Sequence, residues 1–180
     1  MKELYIYQDK ISPPEKKFKN FTYDWTGKRV LELGCNVGKL GLLVLEKGAK
    51  EYKGVDHEKN VVAEGVKRYG LDLVGDSVAN IEDFEYDVVV AMALFHHLKD
   101  KDLDLLLFRI VADELIFEVP TGSNDVGLYQ TRTKEWYEDR IRKQYGEVVN
   151  VVDSGATNDP HNKRLIFHCK KNVQASSPKA

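Results

Sequence analysis

Cysteine is scarce. Cys35 and Cys169 are the only two in 180 residues, too few for a disulfide framework and without the C-x-x-C spacing of a metal or redox centre. Both are expected to pack as small apolar groups, and no metal is expected. An excess of charge of either sign is missing as well. The 27 basic residues face 29 acidic ones, a formal net charge of -2, which gives none of the global attraction to nucleic acid that a basic domain carries. The local runs EKKFK, DRIRKQ and NKR read as solvated faces. No apolar stretch approaches the roughly 20 residues that a membrane span needs. The first residues, MKELYIYQDKISPPEKKF, lack the continuous apolar core and small-residue cleavage site of a signal peptide. Cytoplasmic residence with no membrane partner is therefore expected.

What is present is an ordinary soluble composition, 42% hydrophobic and 31% charged, in a chain long enough for one domain with a full core. From residue 28 apolar runs alternate with amphipathic segments, as in a parallel sheet covered by helices on both faces. KRVLELG is a first buried strand. Leu40, Leu42, Leu43, Val44 and Leu45 follow on a helix that ends at Gly48, a C-terminal cap. EYKGVD is a second strand, and its helix sets Val62, Val66 and Tyr69 on one face before stopping at Gly70. LDLVGD and YDVVVAMA are the third and fourth strands. Only SVANIEDFE separates them, so the crossover helix is reduced to about one turn. Leu103, Leu106, Leu107 and Ile110 give the stripe of a buried helix face, and ELIFEVP is a fifth strand ended by Pro120. TGSNDVGLYQ reads as an ordered loop. Residues 131 to 145 form a helix carrying Trp136, Tyr137, Ile141 and Tyr145. EVVNVVD and KRLIFHC are joined by SGATNDPHN, too short for a helical crossover, so they pair antiparallel as a terminal hairpin. Strand six is expected parallel to its neighbours. The tail NVQASSPKA is small and polar, a disordered segment by composition.

The stretch LELGCNVGKLG, residues 31 to 41, raises the functional question. A strand turning through Gly34 into a helix near Gly38 presents backbone N–H groups at the sheet's carboxyl edge, where a carboxylate or phosphate docks. A P-loop needs Gly-Lys followed by Ser or Thr, but Lys39 is followed by Leu40. The dinucleotide fingerprint needs glycine in the middle place, which Asn36 occupies, crowding a pyrophosphate. A ligand without phosphates fits the turn better.

VLELGCNVG resembles the first motif of the class I S-adenosylmethionine-dependent methyltransferases: an apolar run, an acid, an apolar residue, then Gly-x-Gly/Asn-x-Gly. The resemblance covers residues 28 to 170, and further matches follow in order: Asp56 in GVDHE ends the second strand, Asp76 in VGDS follows the third, and the fourth runs into LFHHL. The family fold it implies is a three-layer αβα Rossmann-like sandwich, with a seven-stranded mostly parallel sheet and an antiparallel terminal hairpin. The cofactor implied is S-adenosyl-L-methionine, leaving S-adenosyl-L-homocysteine as product.

By the same resemblance, Gly34 with its neighbours Cys35, Asn36 and Gly38 contacts the methionine part of the cofactor, and Glu32 orients its amino group. Asp56 accepts the ribose hydroxyls, Asp76 with Ser77 meets the adenine amino group, His57 packs on the base, and Ala91 lies beside the cofactor. Each has a plainer reading: Glu32 as a charge at the sheet edge, Asp56 as the cap of the next helix, Asp76 as the cap of the reduced turn.

His96 and His97 follow the fourth strand, where substrates of open α/β sheets lie. The family pattern favours His97 as a catalytic base, with His96 the weaker candidate. The alternative is that the histidine ties its loop by hydrogen bonds. Enzymes of this family that methylate adenine or glutamine amines carry Asp/Asn-Pro-Pro-Tyr/Phe here, which AMALFHH does not resemble.

Asn158, Asp159 and His161, and Asn124, Asp125 and Tyr129, are candidates for the acceptor side. The expected organisation is an N-terminal lid over residues 1–25, the methyltransferase domain over 26–171 and a tail over 172–180. The lid holds Tyr5, Tyr7, Phe18, Phe21, Tyr23 and Trp25 among Lys16, Lys17 and Lys19. It reads as packing over the sheet, or as a platform for single-stranded RNA. A methyltransferase transferring to an O or N atom of a small molecule is the first reading. An RNA or protein methyltransferase is the second, and a non-catalytic cofactor-binding module or an NAD-dependent dehydrogenase is the reading from another class.

Overall fold

The computed structural model describes Gln8 and residues 13–121, 132–155 and 163–172. Seven strands form one sheet: β1 (Arg29–Leu33), β2 (Glu51–Asp56), β3 (Asp72–Gly75), β4 (Val88–Met92), β5 (Glu114–Pro120), β6 (Gly146–Asp153) and β7 (Arg164–Lys171). Their order across the sheet is β3-β2-β1-β4-β5-β7-β6. β1 to β5 pair parallel, and β7 runs antiparallel between β5 and β6. The expected hairpin is present, with one correction. β6 points the same way as β1 to β5, but it is an edge strand and its one neighbour, β7, is antiparallel to it.

The helices are α1 (Pro14–Lys17), α2 (Lys39–Glu46), α3 (Lys59–Tyr69), α4 (Asp100–Arg109) and α5 (Lys134–Gln144). Between β3 and β4 only a 3-10 turn, Val78–Asn80, intervenes, the reduced crossover expected from SVANIEDFE. The central strands are buried on both faces, and side chains two apart share a face. Val89 and Ala91 of β4 join Leu31, Leu33, Leu115 and Phe117 beneath α4 and α5, the latter supplying Tyr137 and Ile141. Val88, Val90 and Met92 pack on the other side with Leu40 and Val44 of α2.

The N-terminal aromatics complete that second layer. Phe21 and Trp25 are buried in it, and Tyr23 donates its hydroxyl to Glu114 at 2.9 Å. Lys17 of the EKKFK run is also buried, at 6% exposure, so this run is not a fully solvated face. Tyr5 and Tyr7, the acceptor-side candidates Asn124, Asp125, Tyr129, Asn158, Asp159 and His161, and the tail beyond Asn172 lie outside the described residues.

Helix α3 departs from expectation in its buried face. Val61, Val62 and Gly65 are buried, whereas Val66 is 42% exposed. The helix is rolled so that Gly65 abuts the glycine turn: a Cβ placed there would lie 2.5 Å from the carbonyl oxygen of Val37. Contact between backbones without a side chain fixes the depth at which α3 seats. In an unhindered helix Gly→Ala gains about 1 kcal/mol. Here overpacking reverses the sign, and Gly65→Ala is expected to cost about 1–3 kcal/mol. A thermal melt that moved upward would show that the turn has room to yield.

Candidate active site

The chain order places a topological switch between β1 and β4, where the path returns from β3 to the middle of the sheet. Ligands of open α/β sheets bind outside the carboxyl ends of the strands at such a point. A cavity of about 580 Å³ opens there, lined by Glu32 and Gly34 after β1, Asp56 and His57 after β2, and Met92, Ala93 and Leu94 after β4. That volume is typical of a small-molecule site.

The turn after β1 needs left-handed backbone at several places. Gly34 has φ +77° and Gly38 +80°, where a Cβ is strained. Asn36 between them sits at +52°, a conformation asparagine tolerates better than most residues. The peptide groups of the turn are pinned to β2. Val55 accepts from Gly34 N–H at 2.8 Å and Cys35 N–H at 3.1 Å, and Asp56 Oδ2 accepts from Asn36 N–H at 2.8 Å. The remaining Asp56 oxygen accepts from Glu58 N–H at 3.0 Å. Asp56 thus holds the glycine turn, whereas the cap of α3 is Glu58, with no side-chain bond to the helix, so the cap reading of Asp56 is not followed. At the start of α2, Lys39 N–H donates to Gln8 Oε1 at 3.0 Å, while Gln8 Nε2 donates to the Cys35 carbonyl at 3.1 Å. The N–H groups of Asn36 and Lys39, which the sequence offers to an incoming anion, are engaged within the chain.

Glu32 is fully buried and points away from Leu31 and Leu33. Its Oε2 accepts the Tyr52 hydroxyl at 2.5 Å, and its Oε1 has no hydrogen-bond partner among the described residues. Burial pushes its pKa up to about 8, against the opposing pull of Tyr52 and of the Lys17 charge. An orphaned acceptor in the wall of a cavity is the feature expected of a carboxylate awaiting a cationic ligand group.

Beyond β4 the chain passes through Ala93, a non-glycine residue at φ +60°, and forms a 3-10 turn over Phe95–His97. Arg132 ties this turn by donating to the carbonyls of Phe95 at 3.3 Å and Leu98 at 2.8 Å. His96 is buried and His97 exposed, their rings 4.2 Å apart, and both line the cavity. Burial, then the neighbouring His97 and cations including Arg164, lower His96 to about 3. His97 is also lowered, by partial burial first and then by Arg164 and His57. Both are neutral near pH 7.

The structure brings Glu32, Gly34, Asn36, Asp56, His57, His96 and His97 to one cavity. Cys35 is buried beneath it, a Cβ on Gly54 lying 2.8 Å from Cys35 Sγ, and Gly38 shapes the turn with Leu71 and Leu73 against it. Ala91 lies in the core under the opposite face of β4. Asp76 and Ser77 are placed apart. Asp76 Oδ1 accepts from Ser77 N–H at 2.7 Å and Asn80 Nδ2 at 2.9 Å, and Asp76 lines a separate hollow of about 310 Å³. Ser77 accepts from Ala79 N–H at 3.2 Å, capping the 3-10 turn. These two follow the turn-cap reading.

Gln8, Lys17 and Arg164 also line the cavity; the sequence singles out Lys17 only among the lid's lysines, and Gln8 and Arg164 not at all. For Arg164 a signal existed: an antiparallel last strand begins at the edge where the parallel strands end. Gln8 carries no sequence signal, and Lys17 was hidden inside a basic run.

Residues 30–112 match a family model described as a methyltransferase domain. No curated protein matches the sequence significantly. Among solved structures, a Listeria monocytogenes protein assigned as an S-adenosylmethionine-dependent methyltransferase superposes with a TM-score of 0.70 at 17% identity, over 88% of this chain and 99% of the other. The 1,6-didemethyltoxoflavin-N1-methyltransferase of Burkholderia thailandensis, solved with S-adenosylhomocysteine, gives 0.68 at 19% identity over 81% and 72%. The magnesium protoporphyrin IX methyltransferase of Synechocystis, solved with S-adenosylmethionine, gives 0.66 at 15% over 82% and 72%. Residues 30–112 thus match a methyltransferase-domain model, and the chain shares its fold with solved S-adenosylmethionine-dependent methyltransferases.

Proposed function

We propose that the chain methylates an O or N atom of a small molecule bound in the cavity above β1 and β4. The observation that carries this reading is the closure of that cavity by the chain's own N-terminal residues: Gln8, Pro14, Lys17 and Phe18 form part of its wall. A volume of about 580 Å³ walled in this way suits a compact acceptor. Phe21 and Trp25, which an RNA platform would display, are buried in the core, and this argues against the RNA reading. Two of the structural relatives, named for didemethyltoxoflavin and magnesium protoporphyrin, are small-molecule enzymes, while a Pyrococcus horikoshii structure named as an RNA methyltransferase superposes with a TM-score of 0.69 over 97% of this chain.

Glu32 would hold the cofactor's ammonium, through the oxygen left without a partner, and Asp56 would accept from the ribose hydroxyls at the end of β2. Gly34, lacking a side chain, leaves the methionine part room beside Leu94. The cofactor supplies a methyl group on a sulfonium, which is already a good leaving group. The protein's contribution is to hold the acceptor in line at about 3 Å and to keep water out. His97, exposed at the cavity wall, would take the acceptor's proton. Its lowered pKa keeps it neutral at physiological pH, ready to act as a base. His96, buried behind it, would remain neutral and set the position of the His97 ring.

Calorimetry with S-adenosylhomocysteine tests the cofactor half. Asp56→Ala is expected to weaken binding at least about tenfold, the loss that follows from one charged hydrogen bond of about 1.5–3 kcal/mol. Unchanged affinity, or tight binding of NAD in its place, would refute the assignment.

The same instrument reads Glu32. With its pKa raised to about 8, the free carboxyl is mostly protonated at pH 7. Pairing with an ammonium pulls the pKa down, so binding at pH 7 should release up to about one proton. The release should be seen as a dependence of the measured heat on buffer ionisation, and should vanish in Glu32→Gln. Heat independent of the buffer would contradict the role given to Glu32.

For His97, transfer of labelled methyl to the small-molecule fraction of a cell extract is the readout. His97→Ala is expected to slow turnover by about 100-fold or more with cofactor affinity unchanged. In the wild-type protein the rate should hold level as pH falls from 7 and drop only below 6.5, the ordinary histidine value. An unaltered rate in His97→Ala would remove the base.

A further inference from the structure

The glycine turn makes a demand that its own side chains do not meet. Gly34, Asn36 and Gly38 all sit in the left-handed region, and Asn36 does so while carrying a side chain. Residues in such conformations persist only where their surroundings over-determine the shape. Helix α2 starts directly after Gly38, its N-cap, which makes no side-chain bond to the first N–H groups of the helix. Both needs fall on the short stretch from Cys35 to Lys39.

Gln8 supplies what is missing, from 27 residues before Cys35 and 31 before Lys39. Its Nε2 donates to the Cys35 carbonyl at 3.1 Å and its Oε1 accepts from Lys39 N–H at 3.0 Å. A primary amide carries donor and acceptor in one plane, so this single group brackets Asn36 and Gly38. The bracket also acts on Asp56. The Cys35 carbonyl and the Asn36 N–H belong to one planar peptide, and that N–H donates to Asp56 Oδ2 at 2.8 Å. Gln8 and Asp56 thus grip opposite sides of the same peptide. Gln8 is buried, and its amide bonds are to backbone of the turn, whereas the atoms assigned to the cofactor are those of Glu32, Gly34 and Asp56. The segment is fastened separately further on, where Lys17 meets Glu118 at 3.3 Å and Phe21 and Trp25 lie in the core. Pro13 and Pro14 restrict the backbone where the chain enters α1.

We propose that Gln8 is a positioning residue for the cofactor: its amide holds the glycine turn and the Asp56 carboxylate in the arrangement that receives the ligand, so that docking of the N-terminal segment and binding of the cofactor reinforce each other. This rests on the methyltransferase reading above. The coupling is reciprocal, since the factor by which the docked segment raises cofactor affinity is the factor by which the cofactor raises docking. Gln8 also lines the cavity, and a side chain that took up the ligand's own space would give the opposite sign.

Calorimetry with S-adenosylhomocysteine compares the wild-type protein with Gln8→Ala and with Gln8→Met, which keeps the length and bulk of the side chain without its hydrogen bonds. Both variants are expected to bind at least about fivefold more weakly, the size of a lost helix cap, and to agree with each other within about twofold. Amide hydrogen exchange, followed by NMR without ligand, should be about fivefold or more faster at Lys39 in both variants, and unchanged at Val90 and Phe117 in the central strands. Wild-type affinity in Gln8→Met would assign the effect to packing and overturn the bracket, as would unchanged exchange at Lys39. Tighter binding in either variant would make Gln8 a competitor of the ligand. Faster exchange at Val90 and Phe117 together with Lys39 would make it a general stabiliser, and either result overturns the proposal. Failure of the wild-type protein to bind S-adenosylhomocysteine would refute the methyltransferase reading itself, a distinct outcome in which exchange at Lys39 still reports whether the bracket forms.

Discussion

The tight turn between β1 and α2 is the constraint from which the site follows. Its peptide groups are held by β2, through the Val55 carbonyl and the Asp56 carboxylate. Its far side is pressed by Gly65 of α3 at a distance that admits no side chain. Because two parallel strands and a helix converge on one backbone segment, the carboxyl ends of β1 and β2 cannot separate, and Glu32 and Asp56 are delivered to the same cavity. Gln8 adds a third clamp by bridging the Cys35 carbonyl and the Lys39 N–H. The N-terminal segment thus reaches the centre of the molecule as well as its surface.

Two carboxylates buried to the same degree behave oppositely for reasons visible in their surroundings. Glu32 has a hydroxyl donor on one oxygen and none on the other, with the Lys17 charge acting on it only weakly, so burial prevails and its pKa rises. Glu118 has two cations in contact and stays ionised. Desolvation acts on both, and the identity of the neighbours decides the sign. The consequence is a cavity with a protonatable acid at one end and a cationic wall at the other. Lys17 faces both carboxylates and links the two ends.

The fold was largely legible because its signals are local. Apolar runs, the glycine punctuation and the too-short joint between β3 and β4 each constrain their own few residues, and the seven strands fall where those signals place them. Much of the site was legible for the same reason, since Glu32, Gly34, Asn36 and Asp56 sit at strand ends with readable spacing. The structure departs from the simplest reading where a local signal had two outlets. Asp76 and Ser77 are engaged by their own turn, which offers backbone N–H groups one and two residues away and the Asn80 side-chain amide four residues away. Val66 matched a helical period but not the face that α3 turns inward, because Gly65 permits the closer approach.

By itself the sequence determined the alternation of strands and helices, the antiparallel ending and the left-handed turn, because these depend on backbone preferences and on burial of apolar periods. Only the tertiary structure decided that Gln8, Lys17 and Arg164 share one cavity with residues far away in the chain. It also decided that the basic run near the start hides one lysine, and that Arg132 holds the histidine turn. Such meetings are set by how layers stack and strands are ordered, and charge–charge contact across the sheet leaves no periodic trace in a linear chain.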